Sequence, residues 1–143
     1  MVAHPFGVIF IEDDGVDAEA LSRSLLRLAS PPHLAIFGTA TEALQALQDQ
    51  RPLFHPATPF LILLDLHLPG MSALEFLADL RKDARLKRCI VFVLADSDRD
   101  SDRTAAYDMG VAGYLRKSAV PSANEAIAAL LEIYMQSVTT LVD

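Results

Sequence analysis

Six ionisable side chains stand where apolar runs of the chain end, and together they form a set suited to phosphoryl chemistry. The run 7–11, GVIFI, is followed by Glu12, Asp13 and Asp14; the run 60–64, FLILL, by Asp65; the run 112–115, AGYL, by Arg116 and Lys117. Carboxylates gathered in one place repel. A hard divalent cation relieves this, and Mg²⁺ suits a site with few carboxylates and several waters. A lysine adds a compact positive charge suited to an oxyanion or phosphoryl oxygen. A carboxylate can itself be the nucleophile and form an aspartyl phosphate. In such a set the cation and the ammonium offset charge on the transferring oxygens. Taken singly, each residue is a weak signal. An acid after a strand is more often a loop residue or a helix cap, and Asp14 or Asp17 can cap the helix that follows. A lysine before a last helix is usually solvated. The order along the chain carries the reading: acids after the first strand, an aspartate after the third, a lysine after the fifth.

The elements that must position these residues alternate. Short apolar runs at 7–11, 33–38, 60–64, 89–94 and 112–115 read as strands. Between and after them, 17–29, 40–50, 72–84, 97–110 and 121–142 read as helices. In the first helix Ala20, Leu21, Leu25 and Leu28 share a face. Thr39 or Thr41 can cap the second, Ser72 and Glu75 stand at capping-box spacing, and Gly110 ends the fourth. Residues 51–59, with three prolines, read as a connecting loop. Strands that are apolar throughout, rather than alternating, are covered on both faces. The class is therefore α/β, a five-stranded, doubly wound parallel sheet flanked by five helices. Ligands in such sheets sit outside the carboxyl ends of the strands, where these six residues stand.

At 143 residues, the chain is long enough for one domain with a real core. Its net charge of -7 disfavours nucleic acid, since an acidic surface repels phosphates. The basic cluster Arg81, Lys82, Arg85, Lys87 and Arg88 is interrupted by Asp83 and reads as a solvated face. The single cysteine, Cys89, excludes a disulfide framework and reads as a structural thiol in a reducing compartment. There is no signal-like segment and no membrane-length apolar run, so a cytoplasmic protein is expected.

From VIFIEDD through LILLDLHLPGMSALEFL to GYLRKS, the chain resembles the receiver domains of bacterial response regulators. The resemblance covers nearly all of it and implies a single receiver domain over 1–143, with a helical extension at about 136–143. It implies a flavodoxin-like, CheY-like fold with strand order 2-1-3-4-5. It also implies that Asp65 accepts a phosphoryl group from a sensor histidine kinase and that Lys117 contacts that group. Mg²⁺ would be held by Glu12, Asp13, Asp65 and the backbone carbonyl of His67. The chain would be a stand-alone switch signalling through protein–protein contacts, not an enzyme acting on other substrates. DLHLP, the proline-rich insertion and KDARLKR resemble the small receivers that partner bacteriophytochromes.

Two positions depart from the family pattern. Ala95 stands where a Thr or Ser hydroxyl usually reads the phosphoryl group, and only Ser97, two residues on, offers one nearby. Lys117 is followed by Ser118 rather than proline, and a cis bond before a non-proline costs ~3 kcal/mol. Tyr114 matches the family's switch aromatic. These departures leave open a degenerate receiver that binds partners without phosphorylation. A small Mg²⁺-dependent aspartyl-phosphate phosphatase is the other alternative, against which stands the absence of a lid or a second acid two residues after Asp65. The side chain of His67 reads as flanking the site and tuning water access. The string 98–103, DRDSDR, lacks the glycine and closing glutamate of a calcium loop and reads as the acidic first turn of a helix. In the last helix Ile127, Leu130, Leu131, Tyr134, Val138 and Leu141 make one stripe, widened by Ala126, Ala129 and Ile133. That is more apolar surface than one sheet covers, so a homodimer through this face is expected.

Overall fold

The computed structural model describes residues 6–49, 52–55, 58–96, 100–117 and 123–137. Its elements alternate from β1 (Gly7–Ile11) and α1 (Gly15–Leu26) through β2 (His33–Phe37), α2 (Ala40–Gln48), β3 (Phe60–Asp65) and α3 (Ala73–Lys82). They continue with β4 (Ile90–Ala95), α4 (Asp100–Asp108), β5 (Gly113–Arg116) and α5 (Ala123–Ser137). All pairings are parallel, as the apolar runs imply, and the order is β2-β1-β3-β4-β5, as the resemblance implies.

The apolar runs become strands because both their faces are covered. Ile9, Ile11, Ile62, Leu64, Val91 and Val93 pack with Phe76, Leu77 and Leu80 of α3 and with α2. The residues between them, Val8, Phe10, Leu61, Leu63, Phe92 and Leu94, pack with Leu21 and Leu25 of α1 and Ile127 and Leu131 of α5. This is the period of two that a strand imposes. The edge strand β2 is covered less, and its Ile36 is exposed.

Local signals set the helix ends. Asp14 caps α1, its carboxylate accepting from the N–H groups of Val16 and Asp17 at 2.9 and 3.0 Å. The helix therefore starts at Gly15, two residues before the sequence reading has it. Thr39, not Thr41, caps α2, and the Ser72–Glu75 capping box opens α3. Gly110 follows α4 at φ +74°, which favours glycine.

The loop before β3 does more than connect. The Phe54 ring lies on Gly7, where an added Cβ would come within 2.7 Å of it, and stacks obliquely on Phe60 at 5.9 Å. A side chain at the start of β1 would therefore push the Phe54 ring aside.

In α5 the buried residues are Ala123, Ile127, Ala128 and Leu131, with Tyr134 edge-on to Phe92 at 5.0 Å. Leu130 does not share this stripe: it is 41% exposed, on the side of Ala126, Ala129 and Ile133. Val138 and Leu141, and the extension beyond Ser137, lie outside the described residues.

Candidate functional site

The carboxyl ends of β1, β3 and β5 bring the predicted residues together. Hydrogen bonds that prolong the sheet fix their backbones. Glu12 N–H donates to Phe37 O at 3.0 Å, Leu66 N–H to Leu94 O at 2.8 Å, and Lys117 N–H to Ala95 O at 3.0 Å. Side chains carried on such a frame hold their geometry better than side chains on free loops.

Glu12, Asp13 and Asp65 each offer an oxygen, and these oxygens lie within 4.8 Å of one another. Glu12 and Asp65 are buried, at 3% and 4% exposure, while Asp13 faces solvent. Lys117 Nζ donates to Glu12 Oε1 at 2.7 Å and to Asp65 Oδ2 at 3.1 Å. His67 N–H donates to Asp65 Oδ1 at 3.1 Å, so both oxygens of Asp65 are held. Asp14, occupied as the cap of α1, stands outside this group.

One ammonium does not balance three carboxylates. Burial above all, and then the nearby Asp65, push the Glu12 carboxyl up to about 8, with Lys117 pulling back part of the way. Burial works against the charge of Lys117. Its bonds to Glu12 and Asp65 more than offset this and hold its pKa above the ordinary lysine value. Glu12 Oε2 is buried with no hydrogen-bond partner. A buried oxygen left unmatched beside two further carboxylates, one of them open to water, fits a hard divalent cation that keeps water ligands.

The remaining predicted residues fall around this centre. Ala95 ends β4 fully buried. Tyr114, on β5, is half-buried against the core on the α2–α3 side. The His67 side chain is exposed. Ser97 and Ser118 lie outside the described residues, as do Asp98 and Arg99 of the acidic string, whose later part enters α4.

Two residues gain roles that the sequence did not suggest. Asp17, read only as a possible cap, brings its Oδ2 to 3.6 Å from Lys117 Nζ. Arg81, assigned to a solvated basic face, turns inward instead. Its guanidinium donates to the carbonyls of Lys87, Cys89 and Met109 at 2.8 Å each and of Gly110 at 3.0 Å. It ties α3 to the start of β4 and to the α4–β5 turn, a use for which the planar, five-donor arginine head is suited. Contiguity in sequence with Lys82, Arg85, Lys87 and Arg88 concealed this, since its acceptors are carbonyls up to 29 residues away.

Comparison with known proteins agrees with this geometry. The response regulator receiver domain family matches residues 8–131. Response regulator Rcp1 of Synechocystis sp. (strain ATCC 27184 / PCC 6803 / Kazusa) is 33% identical over 114 residues, 80% of this chain and 78% of that protein. The crystal structure of the phosphorylated cyanobacterial phytochrome response regulator RcpA superposes with a TM-score of 0.82 at 32% identity, covering 97% of this chain and 99% of that one. The Mn(2+)-bound form of Rcp1 gives 0.80 at 29% identity, over 96% and 100%. Neither the phosphatase nor the phosphorylation-independent alternative is favoured by these relatives. With its parallel sheet in the order β2-β1-β3-β4-β5 and its acids and lysine at one edge, the chain belongs to the response regulator receiver domain family.

Proposed function

We propose that Asp65 is the phosphoacceptor of a two-component system and receives its phosphoryl group from a sensor histidine kinase. The observation that carries this is the placement of Asp65: buried, held on one oxygen by the His67 N–H and on the other by Lys117, beside Glu12 and Asp13. An Asp65 oxygen attacks the phosphorus of a phosphohistidine; the O–P bond forms as the P–N bond breaks, and the imidazole nitrogen leaves with the electron pair. Lys117, already 3.1 Å from Asp65, pairs with the phosphoryl oxygens. Glu12, Asp13, Asp65 and the carbonyl of His67 would hold Mg²⁺, which offsets charge on the transferring oxygens. The chemistry is confined to the chain's own aspartate, so the chain is a switch and not an enzyme for other substrates.

The similarity to a phytochrome response regulator supports a bacteriophytochrome-type kinase as the donor and the cytoplasm, where kinase domains meet ATP, as the place of action. Exposed Leu130 and Ile133 on α5 support a homodimer through that face. The test is phosphotransfer: label from a phosphorylated phytochrome-type kinase moves to this chain in the presence of Mg²⁺. No transfer from any histidine kinase tried, with no labelling by a small phosphodonor either, contradicts the reading.

A further inference from the structure

Among the described residues, Lys117 has three carboxylate neighbours, not two. Beyond Glu12 at 2.7 Å and Asp65 at 3.1 Å, Asp17 Oδ2 lies 3.6 Å from its Nζ. That is too long for a hydrogen bond but well within the range of charge attraction. Asp17 belongs to α1, whose entry angle is fixed by the Asp14 cap, and its own backbone N–H is taken by that cap. It is not one of the three acids whose oxygens converge for a cation. It is about half exposed, whereas Glu12 and Asp65 are buried. Asp17 and Lys117 also line a cavity of ≈ 250 Å³ between α1 and α5, along with Glu12, Asp96 and Asn124, so the ammonium has space to move.

We propose that Asp17 is a positioning residue for Lys117, a counter-ion of the unphosphorylated state that draws the ammonium toward α1 and so slows phosphorylation of Asp65; this rests on the roles given above to Asp65 and Lys117. To meet a phosphoryl group on Asp65, Lys117 gives up part of its attraction to Asp17. The same carboxylate adds negative charge to a site that an anionic phosphodonor must approach. Because Asp17 is open to water, its influence is modest, about 2- to 5-fold in rate, the range of exposed ion pairs.

The test is the time course of labelling by acetyl phosphate, read by intact mass, at Mg²⁺ concentrations shown to saturate each protein. Asp17→Asn keeps the size of the side chain and the backbone N–H that the Asp14 cap uses, and removes the charge; its labelling should be about 2- to 5-fold faster than native. Asp17→Glu restores the charge and should bring the rate back toward native, a rescue that a purely structural role would not produce. Labelling of Asp17→Asn at the native rate or slower overturns the proposal. Acceleration shared equally by Asp17→Glu overturns it as well, because charge is then not the cause. If neither the native protein nor the variants label at all, the assignment of Asp65 fails, and the role of Asp17 fails with it.

Discussion

Lys117 Nζ donates a 2.7 Å hydrogen bond to Glu12 Oε1, joining residues 105 positions apart at the ends of β5 and β1. The bond satisfies one oxygen of Glu12 and leaves the other buried and unpartnered. The chain has thus placed more negative charge at one edge of its sheet than its single nearby ammonium balances. Such an arrangement costs stability in the protein alone and gains it when a cation binds.

Asp13 is the solvent-facing member of the converging acids, so it can be neutralised without opening the core. Asp13→Asn should raise the melting temperature in metal-free buffer by about 2–4 °C, as relief of roughly 1 kcal/mol of repulsion does for a domain of this size. The native protein should gain melting temperature with Mg²⁺, and the variant should lose most of that gain. Thermal melts with and without Mg²⁺ check both expectations. A Mg²⁺-dependent gain retained in full by the variant would remove Asp13 from the cation site.

Arg81 should matter for stability rather than for phosphorylation. Arg81→Ala leaves four carbonyls without their donor, and the expected loss is about 2–4 kcal/mol, given about 1.5–3 for a hydrogen bond to a charged group and partial replacement by water. Arg81→Lys should recover little, because one ammonium cannot span four acceptors on two segments. Urea unfolding of the two variants decides this; a cost below about 0.5 kcal/mol for Arg81→Ala, as for an ordinary surface residue, would contradict the clamp.

The fold was legible because each of its strands is an apolar run with nothing polar in its middle, and the capping residues Thr39 and Ser72 lie immediately before the helices they start. The candidate site was legible for a related reason: in a parallel sheet the carboxyl end of each strand is delivered to the same edge, so Glu12, Asp13, Asp65 and Lys117 could be grouped from order alone. What depended on rotation about a helix axis or on packing was not legible. Asp17 meets Lys117 only because α1 begins at Gly15. Arg81 differs from Arg85 and Arg88 only in facing the α4–β5 turn. Leu130 and Leu131 are adjacent and equally apolar, yet Leu131 is fully buried and Leu130 is not.

Ala95 offers no hydroxyl to the phosphoryl group, so the response to phosphorylation should be weak beyond the site itself. A phosphoryl mimic such as beryllofluoride should shift the NMR signals of Tyr114 only slightly, and Ala95→Thr should enlarge that shift. The substitution enters a fully buried position and is expected to cost about 1 kcal/mol of stability or more. Shifts at Tyr114 that are already large in the native chain, and no larger in the variant, would show that the readout does not need a hydroxyl at 95.

For the dimer, the informative position is Ile133, 60% exposed on α5, and not the buried Leu131, whose replacement by a charge would unfold the domain. Sedimentation at micromolar concentration should give a dimer for the native chain and a monomer for Ile133→Glu, with unchanged circular dichroism. A native protein that sediments as a monomer would contradict an interface on this face.

The central claim is that Asp65 carries the phosphoryl group, and intact-mass measurement after incubation with acetyl phosphate and Mg²⁺ tests it most directly. The native chain should gain one phosphoryl group, the gain should be lost when the metal is chelated, and Asp65→Asn should gain none. An unchanged native mass, or equal labelling of Asp65→Asn, would contradict the account.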